Sequence, residues 1–406
     1  MPEGWAWCRL GELFYHTTGK ALKKSNNKGS LRKYITTSNL YWNKFDFTEV
    51  REMYFTDDEL EKCTIKKGDL ILCNGGDVGR AAIWNYNEDI CYQNHVSRLR
   101  PKIEGINNSL YLYLLIFYKE QGMLNGKGVG ITSLSANDLL SAIFPLPPLN
   151  EQNSIVTSIE NIFEQIEHLD QEKSDLQTII KQTKSKILDL AIHGKLVPQD
   201  PNDEPAEDLL KRIATSDNRP YEKVDEEPFE IPDSWKWVKL GDIGQTNIGL
   251  TYHPNDISNT GITVLRSNNI QNDKLCFDDV VKVNPNTKIL NNQYINNGDI
   301  LICARNGSQS LVGKCVLINN LREKTSFGAF MAVFRSHCNQ YILKYLQSKY
   351  FKDYMFKSNS TQIHQLTQSM LKDALIPVPP ENEQARIVSK IDELYFQLDQ
   401  IQNNLV

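Results

Sequence analysis

The stretch Pro2-Glu3-Gly4-Trp5-Ala6-Trp7-Cys8-Arg9-Leu10-Gly11-Glu12-Leu13 returns later in the chain as Pro232-Asp233-Ser234-Trp235-Lys236-Trp237-Val238-Lys239-Leu240-Gly241-Asp242-Ile243. The offset is 230 residues, and two further blocks keep it. Tyr34-Ile35-Thr36-Thr37-Ser38-Asn39-Leu40 matches Val264-Leu265-Arg266-Ser267-Asn268-Asn269-Ile270, and Gly68-Asp69-Leu70-Ile71-Leu72-Cys73 matches Gly298-Asp299-Ile300-Leu301-Ile302-Cys303. The offset then drifts to 232, where Leu139 to Pro148 aligns with Leu371 to Pro380 and Asn150-Glu151-Gln152 recurs as Asn382-Glu383-Gln384. Solenoid repeats run about 20–50 residues in three or more copies. This period describes two copies of a whole domain, each with a helix behind it, and 406 residues suffice for two real cores.

Each copy reads as mixed α and β. Asp69 to Cys73 and Asp299 to Cys303 are short apolar strands that run into turns. Tyr111 to Lys119 and Tyr341 to Tyr350 have helical patterning, and Pro147-Pro148 and Pro379-Pro380 end the domains. Beyond the first proline pair, Ile155, Ile159, Ile162, Ile166, Leu169, Leu176, Ile180, Ile187 and Leu190 follow steps of 3 and 4, broken only at Lys173 and Thr183. Asn150 is the expected N-cap and Gly194 the expected stop. Ile387, Ile391, Leu394, Leu398, Ile401 and Leu405 repeat the pattern over a shorter length. Sustained heptads predict a coiled-coil seam, with the two helices paired antiparallel. The fold class expected is therefore α+β: two similar globular α/β domains joined by two long antiparallel coiled-coil helices, a pseudo-twofold tandem repeat.

The shared blocks are apolar and glycine-bearing, whereas the segments between them differ. Phe14 to Phe45 carries 7 bases and no acid; Leu250 to Thr263 has no base but His253. A common scaffold with divergent loops predicts one task performed on two targets. The net charge of −5 hides an uneven distribution. Residues 200–233 hold 12 acids and 4 bases, so they carry −8 and the rest of the chain +3. The basic run reads either as a phosphate-facing patch or as a solvated loop. The eight cysteines include no C-x-x-C pair, which disfavours a zinc site or disulfide framework and suits a cytoplasmic protein. No apolar run approaches the ~20 residues of a membrane span. The N-terminus has no basic or apolar leader pattern, so no secretory signal is expected.

Catalytic motifs are missing. There is no phosphate-binding G-x-x-x-x-G-K-[ST], no H-E-x-x-H, no G-x-S-x-G and no D-x-D-x-D-G loop. Gly126-Lys127-Gly128-Val129-Gly130 lacks a surrounding strand-to-helix pattern and reads as a plain loop. The histidines form no ligand cluster; Trp5, Trp7, Trp235 and Trp237 could stack on bases, but as alternating residues of a domain's first strand they read as core and edge packing. What remains is binding. Arg and Lys can bond guanine, Asn and Gln adenine, and Ser and Thr phosphates. The candidates in copy one are Lys20, Lys23, Lys24, Lys28, Arg32, Lys33, Thr36, Ser38, Asn39, Asn74 and Arg80. In copy two they are Asn247, Tyr252, His253, Arg266, Asn268, Asn269, Arg305, Asn306 and Lys314. The rival readings are a solitary methyltransferase, a nuclease using the acidic stretch for Mg²⁺, and a scaffold that never touches DNA. The motif inventory counts against the first two, and the third leaves the divergent loops unexplained.

The run Ile187-Leu188-Asp189-Leu190-Ala191-Ile192-His193-Gly194-Lys195-Leu196-Val197-Pro198-Gln199-Asp200-Pro201-Asn202-Asp203-Glu204-Pro205-Ala206 resembles the central region of specificity (S) subunits of type I restriction–modification enzymes. The two Pro-Pro-x-Asn-Glu-Gln blocks and the two Trp-x-Trp-x-x-Leu-Gly starts resemble the same family. The resemblance implies target recognition domains at 1–149 and 232–380, a central coiled-coil helix at 150–196, an acidic linker with a short helix (Glu204 to Ile213) at 197–231, and a distal helix at 381–406. It implies a non-catalytic subunit that reads a bipartite, asymmetric site in double-stranded DNA. It further implies docking of two methyltransferase (M) subunits and, in the full complex, motor–nuclease (R) subunits. S-adenosylmethionine would belong to the M subunits, with no cofactor or metal in this chain and no membrane partner. One departure from the family pattern is the brevity of the distal helix.

Overall fold

In the computed structural model, which describes residues 2–22, 28–124, 133–218, 220–222, 224, 227–357 and 365–405, the chain forms two compact units, residues 1–170 and 171–406. They are built from the same parts. In the first unit, Ala6–Arg9 pairs antiparallel with Ile143–Leu146. An antiparallel sheet runs in the order Phe14–Thr18, Val96–Pro101, Leu70–Cys73, Ala81–Ile83. A second sheet runs Arg51–Phe55, Ser30–Ile35, Ile90–Tyr92, Thr64–Ile65, with a parallel pair at its centre. The second unit repeats this: Lys236–Lys239 with Leu375–Val378, then Gln245–Ile248, Met331–Arg335, Ile300–Cys303, Cys315–Leu317 in one sheet. Its other sheet places Val281–Val283 and Thr325–Phe327 on either side of Ile262–Leu265, the latter pair again parallel.

The apolar strands Leu-Ile-Leu-Cys and Ile-Leu-Ile-Cys do not alternate with polar residues because both faces are covered. Side chains along a strand point alternately to opposite faces. Leu70 and Leu72 enter the core beneath the helix Asn108–Glu120, while Ile71 and Cys73 enter the core shared with Tyr34, Phe55 and Tyr92. Ile300 and Ile302, against Leu301 and Cys303, divide in the same way. The acid before each strand anchors it. Asp69 accepts Arg100 Nε and Nη2 at 2.7 and 2.6 Å, and Asp299 accepts Arg335 Nε at 3.1 and 3.0 Å. The glutamine of each Asn-Glu-Gln block has a local task as well. Gln152 Nε2 donates to Pro147 O and Gln384 Nε2 to Pro379 O, both at 2.9 Å, satisfying carbonyls that lie just past the ends of the paired strands.

The central helix spans Leu149–Ile192, 44 residues or about 66 Å. Asn150 lies inside its first turn and does not cap it, because Pro148 already supplies the acceptor for the Glu151 and Gln152 N–H groups at 2.9 Å. Gly194 follows with φ +65°, the left-handed conformation of a helix stop. The distal helix, Glu381–Asn403, is 23 residues long and runs antiparallel to the last turns of the central one. The Lys184 ammonium meets Asp399, and Tyr395 Oη donates to Lys184 O at 3.0 Å. Further along, Ile187, Leu188, Ala191 and Ile192 share a core with Ile387 and Ile391.

The seam expected from periodicity is therefore only partly a helix–helix seam. Ile155 packs with Val156 against the first unit's core, and Ile159 and Leu176 are half-buried. Ile180 is buried, Leu190 half-buried, and Leu394 and Leu398 pack on the second core. Ile162, Ile166, Leu169 and Ile401 are exposed, and Leu405 is half-buried. The physical reason is length: a 23-residue helix can face only about half of a 44-residue one.

Within the acidic stretch the described residues form a helix. That helix is Ala206–Asp217, displaced from the expected Glu204–Ile213, and it inserts Ala206, Leu209, Leu210 and Ile213 into the second core. The Asp203 carboxylate takes both Arg386 Nη atoms, at 3.2 and 2.6 Å, which holds its carboxyl below the usual range. This packing covers one repeat's opening tryptophans. Trp235 and Trp237 are buried, and Trp235 Nε1 donates to the buried Glu383 at 2.9 Å. In the first unit, Trp7 is 59% exposed and Trp5 Nε1 is buried without a partner among the described residues. Core packing thus holds for Trp235 and Trp237, whereas Trp7 is left largely exposed.

Candidate nucleic-acid interface

Each unit carries a short 3₁₀ turn after the strand that pairs parallel at its sheet centre: Thr37–Asn39 in the first and Ser267–Asn269 in the second. The asparagine that ends it is scaffold. Asn39 Oδ1 accepts Thr36 N–H at 2.9 Å, and its amide donates to Asp46 O and Glu49 O at 2.9 and 2.7 Å. Asn269 does the same with Arg266 N–H at 2.8 Å, Cys276 O at 3.0 Å and Asp279 O at 2.9 Å. Both are buried with both amide N–H donors engaged and the oxygen on a main-chain N–H, so neither presents an edge to a base. Thr36 is buried too, and its hydroxyl is engaged with Ser38 and Asn39. Sequence type alone suggested readers; the geometry makes these residues turn-formers.

Three of the cations are engaged by main-chain carbonyls. Arg80 Nη2 donates to Thr37 O at 2.5 Å, and at the matching place Lys314 Nζ donates to Ile270 O at 2.9 Å. Each ties its turn to the neighbouring strand pair. Lys20 is buried, with its ammonium on Tyr54 O and Glu59 Oε2, both at 2.6 Å. A phosphate contact needs an ammonium at the surface, so Lys20 leaves the phosphate-facing set. The Lys20 hydrogen bond holds the Glu59 carboxyl below its ordinary 4.5. The pair's contribution is thus complete above 4.5 and is lost as pH falls through the lower folded value. Lys20→Ala should cost about 1–3 kcal/mol of stability near neutral pH, a deficit that narrows on acidification, and should leave the salt dependence of DNA binding unchanged. A flattened log K against log salt slope would return Lys20 to the phosphate contacts.

Lys23 and Lys24, like the Gly126 to Gly130 loop, lie outside the described residues. Lys28 and Ser38 are exposed. Arg32 and Lys33 line an open hollow of about 540 Å³ together with Glu52 and Asp89, so that surface is of mixed sign. Asn74 is half-buried, with its amide 3.4 Å from Asn94 O and its Oδ1 buried without a partner among the described residues.

The second unit brings more of its candidates together. A cleft of about 580 Å³ is lined by Tyr252, Arg266, Ser267, Asn268 and Phe330 among others. Asn268 Nδ2 and Arg266 Nη2 both reach Asp279, at 2.6 and 3.1 Å. Asn306 donates to Ser267 Oγ at 3.2 Å, and Arg305 lies over the Phe330 ring at 5.6 Å. Asn247 and His253 do not line the cleft. Asn247 accepts Asn292 Nδ2 at 3.2 Å, and His253 N–H donates to Asp256 at 2.7 Å at the start of a separate turn. The reading from sequence missed Phe330 and its first-unit counterpart His95. No sequence signal marked them: the flanking strands Ile90–Tyr92 and Thr325–Phe327 share no residue, and the correspondence rests on the strand registers Cys73↔Val96 and Cys303↔Met331.

Two copies of one α+β domain, each presenting the same turn and strand ends with different exposed side chains, define a tandem recognition protein. The family model for the type I restriction modification DNA specificity domain matches residues 2–178 and 232–405, and the chain belongs to that family. The specificity subunit of the Escherichia coli type I restriction enzyme EcoAI is 30% identical, over 74% of this chain and 61% of its own length. This chain therefore spans less than two thirds of that relative. The crystal structure of the HsdS subunit from Thermoanaerobacter tengcongensis shares the fold with a TM-score of 0.60 at 18% identity, covering 100% of this chain and 93% of that one. A chain solved in work on complex assembly and conformational transition of the type I R-M system matches with a TM-score of 0.67, at the same identity and coverage. Among the described residues no helix is long and apolar enough to cross a membrane.

Proposed function

We propose that this chain is the DNA-specificity subunit of a type I restriction–modification enzyme, with each unit reading one half of a bipartite, asymmetric site in duplex DNA. One observation carries the reading. The two units keep the same scaffold hydrogen bonds at the 3₁₀ turn while the exposed residues around it differ, Ser38 in one and Asn268 in the other. The chain itself is non-catalytic and works in the cytoplasm. Two methyltransferase subunits supply methyl transfer from S-adenosylmethionine, and motor–nuclease subunits join for cleavage. The exposed apolar stripe of Ile162, Ile166 and Leu169 on the central helix suits the methyltransferase docking surface, since such stripes mark protein contacts.

The purified chain, given DNA and S-adenosylmethionine, should transfer no methyl group. Adding the methyltransferase subunit should produce methylation confined to a bipartite site. Turnover by the isolated chain, or the same site modified without it, would overturn the reading.

A further inference from the structure

The two units share one main-chain frame that carries different chemistry. In the second, the Ala304 and Arg305 N–H groups donate to Phe330 O at 2.9 and 3.0 Å, and Leu366 N–H donates to Ala304 O at 2.7 Å. In the first, Asn74 N–H donates to His95 O at 3.0 Å and Leu134 N–H to Asn74 O at 2.9 Å. The strand registers Cys303↔Met331 and Cys73↔Val96 fix the correspondence. The same slot therefore holds Arg305 with Phe330 in one unit and Gly75 with His95 in the other. A Cβ built on Gly75 would stand 3.0 Å from His95 Nδ1, so the histidine ring fills the space a side chain there would take.

Arg305 differs from the other cations at this end of its unit. Arg266 is paired with Asp279, and Lys314 is bound to Ile270 O. The Arg305 guanidinium has no carboxylate or hydrogen-bond partner among the described residues, and its stabilising neighbour is the Phe330 ring. Phe330 is 62% exposed, and exposing that much aromatic surface is unfavourable unless something covers it. A cation–π contact with the ring restricts where the guanidinium sits, which reduces the entropy lost when it binds. A fixed fork with two parallel N–H donors matches guanine O6 and N7 in the major groove.

Resting on the reading of the chain as a DNA-specificity subunit, we propose that Arg305, held by Phe330, reads a guanine in the half-site of the second unit. The Gly75–His95 pair occupies the corresponding slot of the first unit and makes it blind to that contact. Phe330 is a positioning residue and covers the neighbouring base edge when DNA is bound.

The test uses the assembled methyltransferase with a duplex library randomised at the second half-site. The wild-type enzyme should require guanine at one position. Arg305→Ala should reduce that preference by about 10- to 100-fold, the range of one bidentate base contact, and leave the first half-site unchanged. Arg305→Lys should keep the salt slope but lose the same preference, because an ammonium has no fork. Phe330→Ala should weaken discrimination at the same position and nowhere else. A preference kept by both arginine variants overturns the inference. So does an even weakening across all sequences that Arg305→Lys restores, which is the mark of a phosphate contact. A wild-type enzyme with no sequence preference overturns the broader reading instead.

Discussion

Ile391→Asp should abolish cooperative folding of residues 171–406, whereas Ile166→Asp should leave folding intact. Both positions belong to the same apolar 3–4 pattern, and only their surroundings separate them. Ile391 is fully buried in the core with Ile387, Leu188 and Ile192. Truncation at such a site costs about 2–5 kcal/mol, and an unpaired carboxylate adds a desolvation penalty of several more. Against a typical domain stability of about 5–15 kcal/mol that is most or all of the margin. Ile166 is 47% exposed, and a polar substitution there should move stability by no more than about 0.5 kcal/mol. Its effect should appear in assembly, as loss of the methyltransferase subunit from the complex on gel filtration. Thermal unfolding followed by circular dichroism separates the two outcomes. An Ile391→Asp chain that melts like the wild type would show that the helix pair does not hold the second unit together. An Ile166→Asp chain that assembles normally would remove the exposed stripe from the docking surface.

That contrast also marks how far the sequence could be read. The duplication, the strands and the paired helices are legible because each is a pattern within the chain: a fixed offset, an apolar run, a heptad. Periodicity states that an apolar face exists and not what covers it. Ile162 and Ile387 are equivalent letters in the pattern, yet one is exposed and the other lies in a core. The site was harder for a related reason. Residue type cannot tell an asparagine that reads a base from one that closes a turn, and Asn39 and Asn269 close turns. Nor can charge tell a surface lysine from Lys20, whose partner Glu59 is 39 residues away in sequence. Phe330 carries neither charge nor a hydrogen-bonding group, so a search for readers by donor and acceptor passes over it. Its place becomes visible only when the strand registers align the two units.

Exchanging the first recognition unit for that of another family member should change one half of the target and leave the other half as it was. The choice of junction decides whether the experiment is clean. A cut at residue 149 would separate Ile155 and Val156 from the core they enter, and Gln152 from Gly105 O and the Asn107 N–H, which it bonds at 3.1 and 2.9 Å. Either loss would destabilise the incoming unit whatever its specificity. Residues 164–170 are all exposed, and a junction there leaves Phe163, whose ring meets Tyr113 at 5.9 Å, with the first unit. With the junction at 165, the hybrid enzyme should lose methylation of the original site by about 10³-fold or more, the usual gap between specific and non-specific DNA binding. It should gain a site that joins the donor's first half to the original second half. The second half should still depend on Arg305, because the main-chain bonds to Phe330 O that fix it lie wholly within residues 171–406. Sequencing of methylated library DNA reads both halves at once. A hybrid in which both halves change would mean that the units read DNA jointly, and the duplicated scaffold would then be a record of ancestry with no modular use.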